Sequence, residues 1–494
     1  MTLINLLVGF YTICLIGVAV YAFNALIFSG LFLRYRGRTY QTPLVRRWPS
    51  VTVQLPIYNE RYVVERLIDT VARIDYPTEA LSIQILDDST DETAVLARAR
   101  VAFHQSQGIN ITYVRRPNRV GFKAGALDYG LQSAPGEFVA LFDADFLPQP
   151  DFLRKVIPHF ADTSIGAIQA RWGHLNAEHD TLTRAQALAL DGHFAVEQTA
   201  RSCSGLIFNF NGSGGVWRRA CIESAGGWSA DTIAEDLDLS YRAQLGGWQF
   251  RYLRDVVAPA EIPPLLTAFK RQQFRWAKGS IQCLRKLKGR LFLARIPIWK
   301  KLQGFLHLSA YMVHPLLLGM ILSGLPVILL ADPGSLPLGA LGLAGFAPPI
   351  LFALSQWALY PDWRRRFAYF PFLVFLGAGI TLNNTQAIFE AIFGRKSSLF
   401  LRTPKFSVRT GRDHQVKRDE VYNLPVDWTT WGEIVLCLYC LLEAFVALRY
   451  APGLVIFLVT YALGYAYTAV LGLRQSGVKI GWFNQTRPDK VTQG

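Results

Sequence analysis

Two acidic clusters each follow a short apolar segment. Asp143-Ala144-Asp145 comes directly after Glu137–Phe142, and Asp87-Asp88 comes directly after Ser82–Leu86. Two carboxylates at i and i+2 can hold Mg²⁺ or Mn²⁺ in an oxygen shell that also accepts diphosphate oxygens. One such pair is expected by chance in a chain of roughly this length. A loop that only caps a helix therefore stays open as an explanation.

Two further motifs contain charged or aromatic side chains. Glu235-Asp236 opens a predicted helix over Asp236–Leu245, where acidic residues often serve only as caps. Gln272-Gln273-Phe274-Arg275-Trp276 lies in Lys270–Arg290, which holds eight Lys or Arg and no acid. This segment fits a helix on anionic lipid. It equally fits an arginine fork on a diphosphate and an indole on a sugar face, and different faces of one helix can do both.

The elements that must position these residues alternate between strands and helices. The predicted strands are Val51–Ile57, Ser82–Leu86, Ile111–Val114 and Glu137–Phe142, and the predicted helices are Glu60–Ile74, Thr90–Gln107 and Gly121–Gln132. This alternation predicts a mostly parallel sheet covered by helices on both faces. Ligands of such sheets bind beyond the carboxyl ends of the strands, where the acids cluster. The sequence lacks GxGxxG at such a turn and lacks GxxxxGK[ST], which disfavours dinucleotide dehydrogenases and P-loop NTPases.

The composition excludes two classes of protein. The chain has 494 residues, 51% of them hydrophobic, and a formal net charge of +15. This hydrophobicity is too high for a disordered chain, and the length is too great for one compact soluble core. The basic excess is compatible with nucleic acid, an anionic membrane surface or a phosphorylated substrate.

The apolar residues concentrate at the two ends of the chain. Leu3–Leu33 carries no charge and is followed at once by Arg34-Tyr35-Arg36, which predicts a transmembrane helix with its carboxyl end in the cytoplasm. The later apolar segments are Phe305–Ala331, Leu338–Tyr360, Phe367–Phe393, Ile434–Leu448 and Pro452–Leu473. The basic segments between them favour five spans, with residues 381–395 as an interfacial helix. Six full spans are the alternative.

The order Asp88, Asp143-x-Asp145, Glu235-Asp236 and Gln272-x-x-Arg275-Trp276, followed by apolar segments, resembles the D, DxD, [T/E]ED, QxxRW pattern of processive family 2 glycosyltransferases. Longer strings resemble the cellulose synthase-like A and C proteins, which make β-1,4-mannan or glucomannan and a β-1,4-glucan. These strings are Val53–Glu60, Leu86–Asp91, Gly121–Leu127, Phe142–Phe146, Gln169–Trp172, His193–Gln198 and Asn211–Trp217. The resemblance covers about residues 1–475. It is specific for fold and reaction type and weak for the sugar.

The resemblance implies a fold and a division of the chain. The fold is an α/β GT-A (Rossmann-like) cytosolic domain joined to an α-helical transmembrane bundle. The implied parts are an amino-terminal transmembrane helix (1–38), the GT-A domain (50–265), amphipathic interface helices (266–302), a transmembrane region (303–475) and a cytoplasmic tail (476–494). The transmembrane region includes the interfacial helix at about 381–395 and a basic cytoplasmic loop (396–430).

The resemblance also implies a role for each matching residue. Donor binding is expected of Tyr58, Glu60, Asp88, Lys123, Asp143, Gln272 and Arg275. Metal binding, with Mg²⁺ or Mn²⁺ as cofactor, is expected of Asp143 and Asp145. Catalysis is expected of Asp236, as general base, with Glu235; Trp276 is expected to stack on the acceptor sugar. Phe406–Thr410 resembles the FxVT gating loop but has one residue inserted before Thr410, which puts its role in doubt.

The implied activity is an inverting hexosyltransferase that polymerises a β-linked glucan or mannan, with 1,4 the expected linkage, and exports it. The donor is expected to be UDP-glucose or GDP-mannose. The alternatives are transfer of one sugar to a membrane lipid, and a binding protein with an inactive transferase domain, which the intact acidic motifs disfavour. The expected partners are the nucleotide sugar, a growing glycan or lipid acceptor, and membrane lipid, but no nucleic acid. The expected location is a bacterial plasma membrane, or a Golgi membrane, with the catalytic domain cytoplasmic.

Overall fold

A computed structural model describes residues 3–331, 342–394, 405 and 427–476. Its centre is a seven-stranded sheet in the order β3-β2-β1-β4-β6-β5-β7. The strands are β1 Val51–Ile57, β2 Leu81–Asp87, β3 Ile111–Val114, β4 Phe138–Leu141, β5 Ile165–His174, β6 Gly215–Arg218 and β7 Gln249–Ala260. Strands β1 to β4 run parallel to one another, β6 runs antiparallel to both β4 and β5, and β5 runs parallel to β7.

Helices cover both faces of this sheet. They are α2 Val64–Val71, α3 Thr93–Ser106, α4 Phe122–Ser133, α5 Phe152–Val156, α6 Thr181–Asp191, α7 Thr199–Cys203, α8 Arg219–Ser224 and α9 Glu235–Leu245, with a π-helix at Gly192–Gln198 between α6 and α7. β1 is buried along almost its whole length, as expected for a strand covered on both faces. Its side chains join those of α2 and β2 in the largest apolar cluster of the domain.

The remaining helices flank this domain in sequence. They are α1 Leu3–Tyr35, α10 Leu266–Leu293, α11 Ile298–Leu308, α12 Val313–Leu330, α13 Ala347–Leu359, α14 Trp363–Phe367, α15 Phe370–Gly379, α16 Thr381–Phe393, α17 Trp428–Tyr450 and α18 Val455–Gln475. α1 packs against α12 and α13, and α17 packs against α18. α10 follows β7 in sequence and contacts α9, α11 and α16.

Among the described residues, four helical segments are long and apolar enough to cross a membrane: Leu3–Tyr35, Ala310–Leu330, Trp428–Tyr450 and Pro452–Gln475. Trp363–Gly379 and Thr381–Phe393 form a fifth candidate only if this pair, bent by 43°, is counted as one span. The break at Ile380 falls where the sequence changes from apolar to polar residues. The five spans predicted from the sequence include Leu338–Tyr360 and not this bent pair, and they stay a prediction. The helix within Leu338–Tyr360, Ala344–Leu359, belongs to the shorter apolar helices.

The predicted α/β architecture is confirmed, with shifts at the element ends. The helix predicted from Glu60 begins at Val64, since a turn occupies the residues before it. The span predicted over Phe305–Ala331 is divided, because α11 ends at Leu308 and α12 begins at Val313. The loop expected to resemble the FxVT motif lies outside the described residues, as does the tail after Ser476.

Candidate active site

The carboxyl ends of neighbouring parallel strands bring the first group of predicted residues together. β1 pairs with β2 up to Ile57 and Asp87, so Tyr58 and Asp88 follow at adjacent positions. β4 lies on the other side of β1 and runs into Asp143. A cavity of about 140 Å³ opens between these strand ends. It is lined by all the residues expected at the donor, except Gln272, and by Asp145, Arg119 and Lys405.

Two arginines after β3 shape the part of this cavity that Tyr58 and Asp88 line. Arg116 donates from Nε to Asp88 Oδ1 over 2.7 Å and from Nη2 to Asp88 Oδ2 over 2.5 Å. Both side chains are only 7% exposed, so this ion pair fixes the carboxylate of Asp88. The guanidinium of Arg119 lies 3.3 Å from the centroid of the Tyr58 ring. Arg119 thereby covers the ring as a planar cation does.

Lys123 connects the donor cavity to the second acidic motif. Its Nζ donates to Asp143 Oδ1 over 2.6 Å and to the carbonyl of Gly212 over 3.0 Å, and it lies 3.8 Å from Glu235 Oε1. Burial alone would lower the pKa of Lys123, but the carboxylates of Asp143 and Glu235 outweigh it and raise that pKa. The side chain therefore carries a positive charge where a diphosphate is expected.

Asp145 is almost fully buried and keeps one oxygen available. Lys405 donates to its Oδ2, and its Oδ1 has no hydrogen-bond partner among the described residues. An orphaned carboxylate oxygen, next to one already bound to a cation, fits a divalent cation. The described residues hold no group of three His, Cys, Asp or Glu side chains near enough to share a metal. A metal here would thus take its other ligands from water and phosphate oxygens.

The first turn of α9 places Glu235 and Asp236 at the back of the site. Gly212 lies against Asp236 with φ +77°, and a Cβ at Gly212 would stand 3.1 Å from Asp236 Oδ2 and 3.5 Å from Lys123 Nζ. Burial, together with the charge of Glu235, raises the pKa of Asp236 to about 7. Burial likewise raises the pKa of Glu235. Asp236 is therefore suited to accept a proton near neutral pH.

α10 closes the site from the side of the apolar helices. Gln272, Arg275 and Trp276 lie at i, i+3 and i+4 of this helix and face one cavity of about 180 Å³. Asp236 lines the same cavity. Arg275 lines both cavities, and burial lowers its pKa to about 10, so it remains charged. The guanidinium of Arg275 thus lies near Asp236, whose pKa is raised, and near Asp143 and Asp145, which are suited to a metal.

All predicted site residues line one or both of these adjoining cavities. The sequence prediction missed four further residues that line these cavities: Arg119, Trp172, His174 and Lys405. It also missed Arg116, which holds Asp88 in place. Arg116 and Arg119 follow β3, so the rule that ligands bind at strand ends could have found them. His174 is held by Asp191, with Nε2 3.0 Å from Oδ1, and Asp191 also accepts from Gln356 of α13 over 3.0 Å. No local motif signals that network.

The geometry defines a class of protein, an α/β domain with charged cavities at the ends of its parallel strands, joined to apolar helices. Comparison with known families narrows this class, because residues 49–279 match the family described as "Glycosyltransferase like family 2". Residues 49–279 are therefore similar to a family 2 glycosyltransferase domain, as the motifs predicted.

The chain is similar to plant proteins of this kind. It is 43% identical over 261 residues to glucomannan 4-beta-mannosyltransferase 1 of Oryza sativa subsp. japonica, an alignment that covers 52% of this chain and 50% of that protein. It is 44% identical over 260 residues to glucomannan 4-beta-mannosyltransferase 2 of Arabidopsis thaliana, covering 51% of this chain and 49% of that protein. The matches thus span about half the length of these relatives.

A solved structure shares the fold. A mannosyltransferase from Pyrobaculum calidifontis, in complex with GDP-Man and Mn²⁺, superposes with a TM-score of 0.56 at 23% identity. The superposition covers 78% of this chain and 99% of that protein. This likeness supports the GT-A architecture that the sequence predicted.

Proposed function

We propose that this protein is a membrane-embedded inverting glycosyltransferase that extends a β-linked glycan from a nucleotide-sugar donor. One observation carries the proposal: three kinds of group line adjoining cavities. They are the carboxyl of Asp236, whose pKa is about 7, the cations of Lys123 and Arg275, and the pair Asp143 and Asp145. This arrangement provides for proton removal from an acceptor and for charge stabilisation on a leaving diphosphate. Those are the two requirements of glycosyl transfer from an activated sugar.

The proposed chemistry is a single displacement. Asp236 takes the proton of the acceptor hydroxyl as that oxygen attacks the anomeric carbon of the α-linked donor, and the bond to the diphosphate breaks. One inversion of an α-linked donor yields a β-linkage. Lys123 and Arg275 hold the diphosphate oxygens as they gain charge, which lowers the barrier most when the groups are already oriented. Glu235 lies within 3.8 Å of Lys123 and helps to keep that ammonium in place.

We assign the metal position to Asp143 and Asp145. A bound Mg²⁺ or Mn²⁺ would neutralise charge on the diphosphate. Lys405 donates to Asp145 Oδ2, so a divalent cation at Asp145 would bind Oδ1 or displace this ammonium. Gln272 adds a neutral side chain on the same side as Arg275, and Trp276 offers an indole face for the acceptor sugar.

A mannosyl donor is the first candidate. The names of the relatives given above refer to β-1,4-mannosyl transfer onto glucomannan, and the Pyrobaculum enzyme was solved with GDP-Man. We propose GDP-mannose as donor, a β-1,4-linked product, and UDP-glucose as the competing donor. Tyr58, Glu60 and Asp88 would contact the base.

We propose that the apolar helices embed the protein in a membrane and that the catalytic domain faces the cytoplasm. α16 supports this arrangement, because Glu390 pairs with Lys278 of α10 over 2.8 Å. The polar helix α16 thus returns to the side on which the catalytic domain lies, as an interfacial helix does. The parts proposed from the sequence are retained: 1–38, 50–265, 266–302, 303–475 and 476–494. A channel for export is part of the proposal, since a polar glycan does not cross lipid unaided.

The test is a transfer assay with purified protein in lipid, using labelled GDP-mannose and UDP-glucose with Mn²⁺ or Mg²⁺. The expected result is metal-dependent, GDP-mannose-dependent product of many sugars that a β-mannanase degrades. A product of one sugar on extracted lipid would support the single-transfer alternative instead. No transfer with either donor, by protein that binds the donor normally, contradicts the proposed activity.

A further inference from the structure

The outer part of the helical bundle contains a large cavity that the proposed reaction does not use. Its volume is about 590 Å³, within the roughly 300–1,000 Å³ of small-molecule sites. α1, α12, α17 and α18 form most of its wall, with apolar residues such as Leu15, Met320 and Phe457. The domain cavities described above share no lining residue with it.

One carboxyl interrupts this apolar wall. Glu443 of α17 is 2% exposed, lines the cavity, and its Oε2 has no hydrogen-bond partner among the described residues. Glu443 lies seven residues before Tyr450, the last residue of α17, which places it about 10 Å from that end of the helix at 1.5 Å per residue. Its Oε1 lies so close to Gly324 of α12 that a Cβ there would stand 1.8 Å away. The backbone of α12 therefore leaves room for this carboxyl and supplies no donor for Oε2.

A buried carboxyl in an apolar wall requires a partner. Leaving a buried polar atom unpaired is costly, and ionisable groups within apolar helices commonly mark functional sites. Among the described lining residues there is no Lys or Arg, so the cavity offers nothing to neutralise the phosphate of a phospholipid. It also has too few polar groups to satisfy the many hydroxyls of a glycan; besides Glu443, the described polar side chains are Tyr11, Tyr450 and Tyr461.

We propose that this cavity binds a membrane lipid whose only polar group is a hydroxyl. The hydroxyl would share a hydrogen bond with Glu443, and the apolar body would lie along α1 and α18. A hydroxyl both donates and accepts, so it fits the carboxyl in either protonation state. The inference rests on the proposal that these helices lie in a bilayer, but not on the transferase activity.

The test uses oleyl alcohol as the probe and octadecene, the matching hydrocarbon, as its comparator. Each competes against a diazirine-bearing oleyl alcohol that is crosslinked to the purified protein, with the labelled peptides identified by mass spectrometry. In the wild type we expect crosslinks on α1 and α18 and about fivefold stronger competition by the alcohol, the value of one hydrogen bond. In Glu443→Leu this preference should disappear while the hydrocarbon competes as before.

A second pair of variants keeps the test decisive if Glu443→Leu does not fold. Ala19→Phe fills the cavity from α1, whereas Val20→Phe, on an exposed face of the same helix, leaves it open. We expect Ala19→Phe to lose the crosslinks and Val20→Phe to keep them. Equal competition by alcohol and hydrocarbon in the wild type overturns the proposal, as does preferential crosslinking of a phospholipid or glycan probe. Neither outcome depends on glycosyl transfer, so both are separate from a failure of the proposed activity.

Discussion

Two opposing influences act on the carboxyl of Asp236. The amino end of α9 favours its ionised form, since helix amino termini stabilise anions. Burial and the neighbouring charge of Glu235 favour the protonated form and prevail, raising the pKa to about 7. A general base acts only when ionised, so we expect turnover to fall as pH falls through about 7. A pH–rate profile measured at saturating donor checks this prediction, and a constant rate between pH 5 and pH 8 would contradict the assignment.

The substitution Asp236→Asn, whose side chain has the same shape, tests the effect of Asp236 on turnover separately from its effect on donor binding. Asp236→Asn cannot accept the proton, so we expect turnover to fall by roughly 10²–10⁴-fold, the usual contribution of a general base. Donor affinity should change little, because the proposed diphosphate contacts come from Lys123 and Arg275. Turnover and calorimetric donor binding measured on the same preparation distinguish the two effects. Near-wild-type turnover would remove Asp236 from the proposed role.

Arg275 provides the complementary change. Arg275→Lys keeps a positive charge but loses the planar fork that can grip two oxygens at once. We expect about 10²–10³-fold slower turnover, comparable to the loss of one donor at an oxyanion site. Arg285 is a suitable control, since it lies later on the same basic helix and lines neither of the two cavities. Equal effects of Arg285→Lys and Arg275→Lys would indicate that only the overall charge of α10 matters.

Sequence reasoning found the residues that carry recognisable motifs and missed those that support them. Asp88 was predicted from its motif, but its fixed position depends on Arg116, which sits in an unremarkable loop. Asp236 was predicted as a base through resemblance alone. Its raised pKa depends on its burial and on the charge of Glu235. The residues near Asp236 in the sequence do not predict how deeply the folded protein buries it.

At the scale of elements, α10 joins the catalytic site to the membrane helices. One side of it presents Arg275 and Trp276 to the site, while Lys270 pairs with Glu433 of α17 over 2.5 Å. Both partners are almost fully buried, with side chains 4% and 0% exposed. This ion pair therefore links α10 to α17 in the interior of the protein.

Breaking that pair should destabilise the protein. Lys270→Met leaves the carboxylate of Glu433 buried without its ammonium, for which the expected cost is about 3–5 kcal/mol. The double variant Lys270→Met/Glu433→Leu removes both charges and should recover most of the loss. Lys278→Met is the matched control, because its partner Glu390 is 41% exposed and can turn to solvent. Thermal unfolding in detergent measures all three, and a double variant as unstable as Lys270→Met contradicts the explanation.

The elements that sequence predicted best are those with local periodicity. β1 and β3 were predicted to the residue, because each is a short apolar run bounded by turns. β5, β6 and β7 were not predicted as strands, and β6 runs antiparallel within a sheet expected to be mostly parallel. Its four residues, Gly215–Arg218, pair with β4 and β5 from distant parts of the chain, and such pairing has no local signature.

At the scale of the whole molecule, the proposed arrangement of the helices across a membrane depends on which helix ends contact the α/β domain. α1 ends next to a basic segment, and Arg38 donates to the carbonyl of Cys203 in the catalytic domain over 3.1 Å. The amide of Leu266, at the start of α10, donates to Gln475 at the end of α18 over 2.7 Å. Both helices thus end next to the α/β domain, and if α17 and α18 each cross a bilayer, as proposed, the turn between them lies on the opposite side.

Single cysteines introduced at two glycines test this arrangement. Gly37 and Gly453 each have open space where a Cβ would stand, so Gly37→Cys and Gly453→Cys should not disturb packing. In sealed, right-side-out vesicles we expect a membrane-impermeant maleimide to label Gly453→Cys, and to label Gly37→Cys only after permeabilisation. The unsubstituted protein, whose six cysteines are free, gives the background. Labelling of both sites from one side would mean that α17 and α18 do not each cross the bilayer.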